Sequence, residues 1–230
     1  MAVQNIEDLE KKIKIKFKKK ELLQTAVTHR SYLNENRSYS LDHNERLEFL
    51  GDAVLELVVT EYLYANFPNP EGELTNWRAS LVNKDMLSKV SRELKVENFL
   101  LMSRGESKDT GRARDYLLAN ALEAIIGAIY FDQGYEPAKQ FILKNIVANL
   151  DEVIKNKLYL DPKSNFQEEA QEKVGVTPSY RVISETGPDH DKRFVVGVYL
   201  ADVEVAQGEG SSKQEAQRQA AKAGLDAKGW

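Results

Sequence analysis

The hydrophobic pattern of this chain changes once, near Tyr159, and that change limits the fold more than any other feature. Before it, apolar residues recur every three or four positions, which indicates amphipathic helices. After it, short β-like runs are separated by turn signals such as Gly187-Pro188-Asp189. With 230 residues, the chain is long enough to bury a core on each side of the change. The pattern predicts a helical part followed by a smaller part of helices and strands.

The helical part is predicted to contain a helix that ends before Pro68 and Pro70. Its inward apolar positions are Leu47, Leu50, Val54, Leu57 and Val58. Further helices are predicted over residues 75–94, 115–131 and 136–154. In the smaller part, the predicted order is a helix (164–174), three strands (179–185, 193–200 and 203–208) and a helix (211–228). We therefore predict an all-α domain over 1–155, a linker over 156–162 and a small α+β domain of α-β-β-β-α order over 163–230.

Composition excludes several classes of protein. The chain has no cysteine, which excludes disulfides and cysteine-zinc sites. Charged residues interrupt every apolar stretch before it is long enough to span a membrane, and no secretory signal is visible at the N-terminus. These features predict a cytoplasmic protein with no membrane partner. The formal net charge of −4 excludes recognition of nucleic acid through a broad basic surface.

Three acidic side chains are predicted to share one face of the helix that begins near residue 45. At about 100° per residue, Glu45, Glu48 and Asp52 point in nearly the same direction. Such a face is either a solvated acidic surface or a site for a hard cation such as Mg²⁺, which prefers carboxylate oxygens. Gly51 costs helix stability, and its presence predicts the close approach of another element.

A second polar pair interrupts an alanine-rich helix. Asn120 and Glu123 are three residues apart and share a face, while their neighbours are almost all apolar. A glutamate in such surroundings needs a hydrogen-bonding partner or a metal ion. Two inward-facing polar pairs on two packed helices form a known type of metal site.

Three segments of the sequence resemble the bacterial ribonuclease III family. Residues 43–53 resemble its signature motif, residues 119–128 resemble its second catalytic helix, and the C-terminal pattern resembles its double-stranded-RNA-binding domain. The resemblance implies a helical, dimeric nuclease domain joined to an α-β-β-β-α RNA-binding domain. It also implies a double-stranded-RNA endonuclease that acts in rRNA and mRNA processing.

The same resemblance implies roles for individual residues. The implied cofactor is Mg²⁺, with Mn²⁺ as a possible substitute, and the implied partners are double-stranded RNA and a second copy of the chain. The implied catalytic positions are Glu45, Asp52, Asn120 and Glu123, and the implied metal positions are Glu48, Asp52, Asn120 and Glu123. The implied RNA-binding residues are Glu71, Gln167, Glu168, His190, Ser212, Lys213 and Gln217.

Two departures from the family pattern stand out. Gln214 and Glu215 follow Lys213 where relatives often have further basic residues, so we expect weak electrostatic binding. Asn120 stands where the family has aspartate, and a neutral amide is a poorer ligand for Mg²⁺. Three interpretations remain open: an engineered substitution, a natural variant that uses the remaining carboxylates, and a non-cleaving RNA-binding protein. Four carboxylates of the motif are intact, which favours an engineered or weakened enzyme over a non-cleaving RNA-binding protein. They are Glu45, Glu48, Asp52 and Glu123.

A basic run, residues 11–20, holds seven lysines. It is predicted to form a helix end and a loop with Ile13, Ile15 and Phe17 packed inward; contact with RNA is the alternative.

Overall fold

The computed structural model describes residues 5–108, 110–188 and 192–230. The chain divides into two compact units, Met1–Tyr159 and Leu160–Trp230, which are considered separately below. Within the described ranges, no helix is both long enough and apolar enough to cross a membrane.

The first unit is built from α-helices. In chain order they are α1 (Ile6–Ile13), α2 (Lys20–Ala26), α3 (Arg30–Glu35), α4 (Glu45–Asn66), α5 (Glu71–Val82), α6 (Lys84–Glu93), α7 (Gly111–Gln133), α8 (Tyr135–Asn145) and α9 (Leu150–Lys155). Short 3₁₀ turns lie at Val96–Asn98, Glu106–Lys108 and Val147–Asn149. The long helices α4 and α7 pack against each other, and α2, α6 and α8 also pack against α7. As a result α7 is buried through its middle, where Ile125 and Ile126 have no exposed surface.

Two predicted helices of this unit are each broken in the structure. The helix predicted over 75–94 is wrong because Asn83 separates α5 from α6 with an extended backbone, and its side-chain oxygen accepts a hydrogen bond from the Met86 N–H at 2.9 Å. Asparagine caps helices well, so a new helix begins there. The helix predicted over 136–154 is also wrong, since α8 ends at Asn145 and α9 begins at Leu150.

The N-terminal lysine segment packs largely as expected. Ile13 and Phe17 are buried and Ile15 is half-buried. The loop is fixed by backbone contacts: the Asp132 carboxylate accepts hydrogen bonds from the Lys18 and Lys19 N–H groups at 2.8 and 3.1 Å.

The second unit has the predicted order of elements. It consists of α10 (Pro162–Val174), β1 (Ser179–Thr186), β2 (Arg193–Leu200), β3 (Val203–Gly210) and α11 (Lys213–Lys228). The strands form an antiparallel sheet in the order β1-β2-β3. Both helices contribute to the core beneath the sheet, where Phe166 of α10, Val198 of β2 and Ala221 of α11 are completely buried. This packing leaves the outward faces of both helices available to solvent.

Candidate active site

The helices α4 and α7 touch through two glycines. A Cβ atom added to Gly51 would lie 2.6 Å from the carbonyl carbon of Glu123 and 2.9 Å from the nitrogen of Gly127. A Cβ atom added to Gly127 would lie 3.0 Å from the carbonyl carbon of Leu47. Since real Cβ atoms essentially never approach within 3.0 Å, the two backbones are in direct contact. The close approach predicted from Gly51 is confirmed, and the element that approaches is α7.

This contact brings the two predicted polar groups together. The side chain of Asn120 on α7 forms a hydrogen bond with Glu48 on α4. Glu123 lies close enough to Asp52 and Glu48 for both carboxylates to perturb its ionisation. Glu48, Asn120 and Glu123 are half-buried, whereas Glu45 and Asp52 are exposed at the rim. We call Glu48, Asp52 and Glu123 the carboxylate cluster.

Burial and mutual repulsion make it costly to ionise this cluster. Burial raises the pKa of Glu123 to about 7, and the charges of Asp52 and Glu48 add to the effect. Burial also raises the pKa of Glu48, assisted by the charges of Glu45 and Asp52, while the hydrogen bond from Asn120 acts in the opposite direction. The folded protein therefore holds negative charge here at an energetic cost, which a bound cation would offset.

The described residues supply little positive charge to this group. Within the described ranges, none of the three cluster carboxylates forms an ion pair with Lys, Arg or His, whereas Glu45 lies 3.4 Å from Arg30 Nη1 and 3.8 Å from His43 Nδ1. Among the described residues, Arg30 thus compensates part of the charge of Glu45, and no basic side chain pairs with the cluster.

The donor set suits a hard divalent cation bound jointly with a substrate. The three carboxylates and the Asn120 amide offer only oxygen atoms as ligands toward a cation. Among the described residues, no three His, Asp or Glu side chains are grouped closely enough to hold a metal ion by themselves. The predicted metal site is therefore open. Mg²⁺ is typically held by one or two carboxylates together with water and substrate phosphates, so an open cluster fits it chemically.

Glu71 is the first residue of α5 and is exposed. In the part of the chain that the structure describes, no interaction links it to the carboxylate cluster. The structure therefore gives it an accessible position in the same unit and nothing more specific.

In the second unit, the described residues among those predicted to bind RNA lie on α10 and at the start of α11. Gln167 and Glu168 are adjacent and exposed on α10. His190 lies outside the described residues. The structure thus leaves two of these three side chains accessible and says nothing of the third.

The remaining predicted residues lie at the start of α11. Ser212 caps this helix, its hydroxyl accepting a hydrogen bond from the Glu215 N–H at 3.2 Å. Lys213 is exposed, with Nζ 4.0 Å from a carboxylate oxygen of Glu185. Gln217 accepts a hydrogen bond from Lys163 Nζ at 2.8 Å. This helix start presents a serine cap and a basic side chain at the positive end of a helix dipole.

Sequence reasoning missed two features of the first unit. The close contact made by Gly127 was not predicted, although a glycine one turn after Glu123 was a visible signal. Leu57 was predicted to face inward and is instead 57 % exposed. It lies on an exposed stripe of α4 with Phe49 (81 % exposed) and Tyr64 (83 %). The spacing of eight and seven residues puts all three on one face of the helix.

Comparisons with known proteins cover nearly the whole chain. A family model described as "Ribonuclease-III-like" matches residues 19–150, and one described as "Double-stranded RNA binding motif" matches residues 162–227. The protein named Ribonuclease 3 from Desulforamulus reducens is 47 % identical over 202 residues, 87 % of this chain and 82 % of the relative. Ribonuclease 3 from Pelotomaculum thermopropionicum is 44 % identical over 94 % of this chain and 90 % of the relative.

A solved structure resembles the first part of the chain. The nuclease domain of ribonuclease III from Campylobacter jejuni aligns with a TM-score of 0.57 and 45 % identity, covering 63 % of this chain and 98 % of that one. The description of that structure refers to a region involved in dimer formation of the domain.

Proposed function

This chain belongs to the ribonuclease III family of double-stranded-RNA endonucleases, and we propose that its carboxylate cluster hydrolyses duplex RNA with Mg²⁺, more slowly than a site with aspartate at position 120. The observation that carries the proposal is the glycine contact between α4 and α7. It brings Glu48, Asp52 and Glu123 together without a cationic partner among the described residues. The second unit supplies the double-stranded-RNA-binding motif.

The proposed chemistry assigns a role to each residue at the crossing. Glu48, Asp52 and Glu123, together with water and a substrate phosphate, would hold the divalent cation, which would supply an activated water and neutralise charge on the phosphate. Glu45, at the rim, orients groups at the site while Arg30, whose Nη1 atom lies 3.4 Å away, compensates part of its charge. Near neutral pH, the carboxyl of Glu123 keeps a proton part of the time because its pKa is about 7. Binding of a divalent cation would therefore favour the deprotonated form of the Glu123 carboxyl. Mn²⁺ satisfies the same oxygen donors and is proposed as a substitute.

Asn120 determines how strongly the site binds its cation. Its amide keeps the shape of aspartate and hydrogen-bonds to Glu48, but it adds no negative charge. A second candidate function is a double-stranded-RNA-binding protein that does not cut. The observation that supports this alternative is Asn120, because a neutral amide is a poorer ligand for Mg²⁺ than a carboxylate.

We propose that the active form is a homodimer assembled through the exposed stripe of α4. Phe49, Leu57 and Tyr64 form an apolar face on the helix that also carries Glu48 and Asp52. Large exposed apolar side chains aligned on one helix face typically mark a protein interface. A symmetric pairing would place one carboxylate cluster on each side of the interface, so that each cluster serves one RNA strand.

The proposed domains of the chain are a nuclease domain over 1–155, a linker over 156–162 and an RNA-binding domain over 163–230. Duplex RNA is recognised by its shape, through 2′-hydroxyls and phosphates. The proposed contacts are Gln167, Glu168, His190, Ser212, Lys213 and Gln217, with Glu71 at the nuclease cleft. The proposed setting is the processing of rRNA and mRNA in the cytoplasm.

The test is a cleavage assay on three substrates of one sequence: duplex RNA, single-stranded RNA and duplex DNA. We expect cutting of duplex RNA alone, with Mg²⁺ or Mn²⁺ and not with EDTA. Equal cutting of duplex DNA would contradict recognition through 2′-hydroxyls. Binding of duplex RNA without cutting, even with aspartate at position 120, would select the alternative.

A further inference from the structure

An exposed aromatic side chain lies on the same face of α7 as the active-site residues. Tyr116 is 58 % exposed and precedes Asn120 by four residues and Glu123 by seven. At about 100° per residue, Tyr116 and Glu123 differ in direction by only about 20°. Along the helix axis, Tyr116 lies about 6 Å from Asn120 and about 10 Å from Glu123. The phenol ring is therefore one to two turns from the carboxylate cluster.

A lysine from another helix lies over this ring. Lys84, the first residue of α6, has its Nζ atom 4.5 Å from the centroid of the Tyr116 ring. Its side chain is 25 % exposed, and its nearest acidic group is the adjacent Asp85, at 3.4 Å, whose side chain is 85 % exposed. An exposed carboxylate of that kind is well solvated and holds an ammonium weakly. The aromatic ring thus helps to fix the ammonium in one place.

We propose that Lys84 and Tyr116 form a docking point for the ribose–phosphate backbone of the RNA strand held at the carboxylate cluster. This inference rests on the proposed function and adds two positioning residues to it. The ammonium of Lys84 pairs with a phosphate a few nucleotides from the scissile bond. The Tyr116 ring holds that ammonium in place.

The charges in this unit explain why such a point is needed. The carboxylate cluster repels the phosphates that the substrate must bring to it, until a cation is bound. A fixed positive charge on the same face of α7 attracts the strand and sets its register. Because the ring already restricts the lysine, less side-chain entropy is lost when the phosphate binds. A second bound cation would not attract the strand here, because Lys84 repels cations. A further acidic ligand would not do so either, because the carboxylate cluster already supplies acidic groups.

The experiment first measures binding of uncleaved duplex RNA by the chain as it exists, in Ca²⁺, over a range of salt concentrations. Lys84→Gln is expected to weaken binding about three- to ten-fold and to reduce the slope of log K against log salt by about 1. Tyr116→Leu, which removes the ring, should weaken binding by a smaller factor, and Tyr116→Phe, which keeps it, should bind like the parent. The matched control is Lys89→Gln on the same helix, because Lys89 Nζ is already bound by Glu152 at 3.0 Å and Asn149 at 3.1 Å.

The second readout is cleavage in an Asn120→Asp background. Loss of a positioning contact should raise KM about three- to ten-fold, in parallel with the loss of binding, and change kcat by less than about two-fold. Thermal unfolding and sedimentation of each variant show whether folding or dimerisation has changed instead.

Three results would overturn the inference. Lys84→Gln could leave both the affinity and the salt slope unchanged, as Lys89→Gln should. Tyr116→Leu could alter dimerisation and not RNA binding, which would place the ring in the subunit interface. If the parent chain binds no duplex RNA at all, the proposed function fails and this inference fails with it. The first of these results, in which the parent and Lys84→Gln bind duplex RNA equally well, refutes this inference alone.

Discussion

Gly51 and Glu123 are in backbone contact: a Cβ atom on Gly51 would lie 2.6 Å from the carbonyl carbon of Glu123. Gly51 belongs to α4 and Glu123 to α7, so this contact fixes how closely the two helices approach. The carboxylates on either side of it are close together because Gly51 and Gly127 have no side chains to separate the helices.

Gly51→Ala should therefore destabilise the first unit and impair the site. The added methyl group would have to push two helix backbones apart, at a cost of about 1–3 kcal/mol in the free energy of unfolding. We would follow urea unfolding by the fluorescence of Trp77, in a Trp230→Phe background so that only the first unit reports. In an Asn120→Asp background, cleavage of duplex RNA should fall as well.

The matched control is Gly72→Ala in α5, where an added Cβ has no neighbour within 4 Å. Alanine there should raise the free energy of unfolding by about 0.5–1 kcal/mol, because it reduces the freedom of the unfolded chain. If both alanines had the same effect on stability, the backbone contact at Gly51 would not limit the helix approach.

Much of this arrangement could be predicted from the sequence because it depends on periodicity. The position of the carboxylates on one face of α4 and the order of elements in the second unit both follow from residue spacing. The break at Asn83 could not be predicted in this way, since it depends on a side-chain cap that competes with helix continuation. The outward position of Leu57 could not be predicted either, because hydrophobic periodicity alone assigns apolar residues to the core. Whether three carboxylates close around an ion depends on side-chain directions, which spacing does not determine.

The ionisation of Glu123 predicts a pH-dependent stability for the metal-free protein. Its pKa is raised from the ordinary 4.5 to about 7 by burial and by the charges of Asp52 and Glu48. A carboxyl group with a raised pKa is favoured by the fold in its protonated form. Its contribution to stability is complete below about pH 4.5 and is lost as the pH rises to about 7. Glu123→Gln removes the ionisation, so in EDTA the variant should exceed the parent in unfolding free energy by about 1–3 kcal/mol at pH 8.

The difference between variant and parent should disappear near pH 4 and should shrink at pH 8 when Mg²⁺ is added, because the cation stabilises the ionised carboxylate of the parent. A difference that does not depend on pH would show that Glu123 is ionised without penalty.

The exposed stripe of α4 predicts the effect of a polar substitution on assembly. Phe49 is 81 % exposed in the single chain, and Phe49→Ser should weaken the dimer by at least about ten-fold in Kd, because it removes a large apolar side chain from the interface. Sedimentation equilibrium measures this directly. Val203→Ser serves as the control, since Val203 is also an exposed apolar residue (69 %) but lies in the second unit. Dimerisation that is insensitive to Phe49→Ser would place the interface elsewhere.

The start of α11 predicts how RNA binding responds to salt. Lys213→Gln should reduce the slope of log K against log salt by about 1 and weaken binding of duplex RNA of any sequence to a similar extent. Lys222→Gln provides the comparison, because residue 222 follows nine positions later and points to the opposite side of the same helix. Equal effects of the two substitutions would indicate general attraction to charge, without a defined contact at Lys213.

The measurement that tests the central claim most directly is the rate of duplex RNA cleavage by the parent chain and by Asn120→Asp, side by side in Mg²⁺. An added carboxylate beside Glu48 and Glu123 should raise the affinity of the site for the cation that stabilises charge on the phosphate. We predict that Asn120→Asp cuts at least about 100-fold faster than the parent, while both bind duplex RNA with similar affinity. If both proteins bind the duplex and neither cuts it, the carboxylate cluster is not a catalytic site.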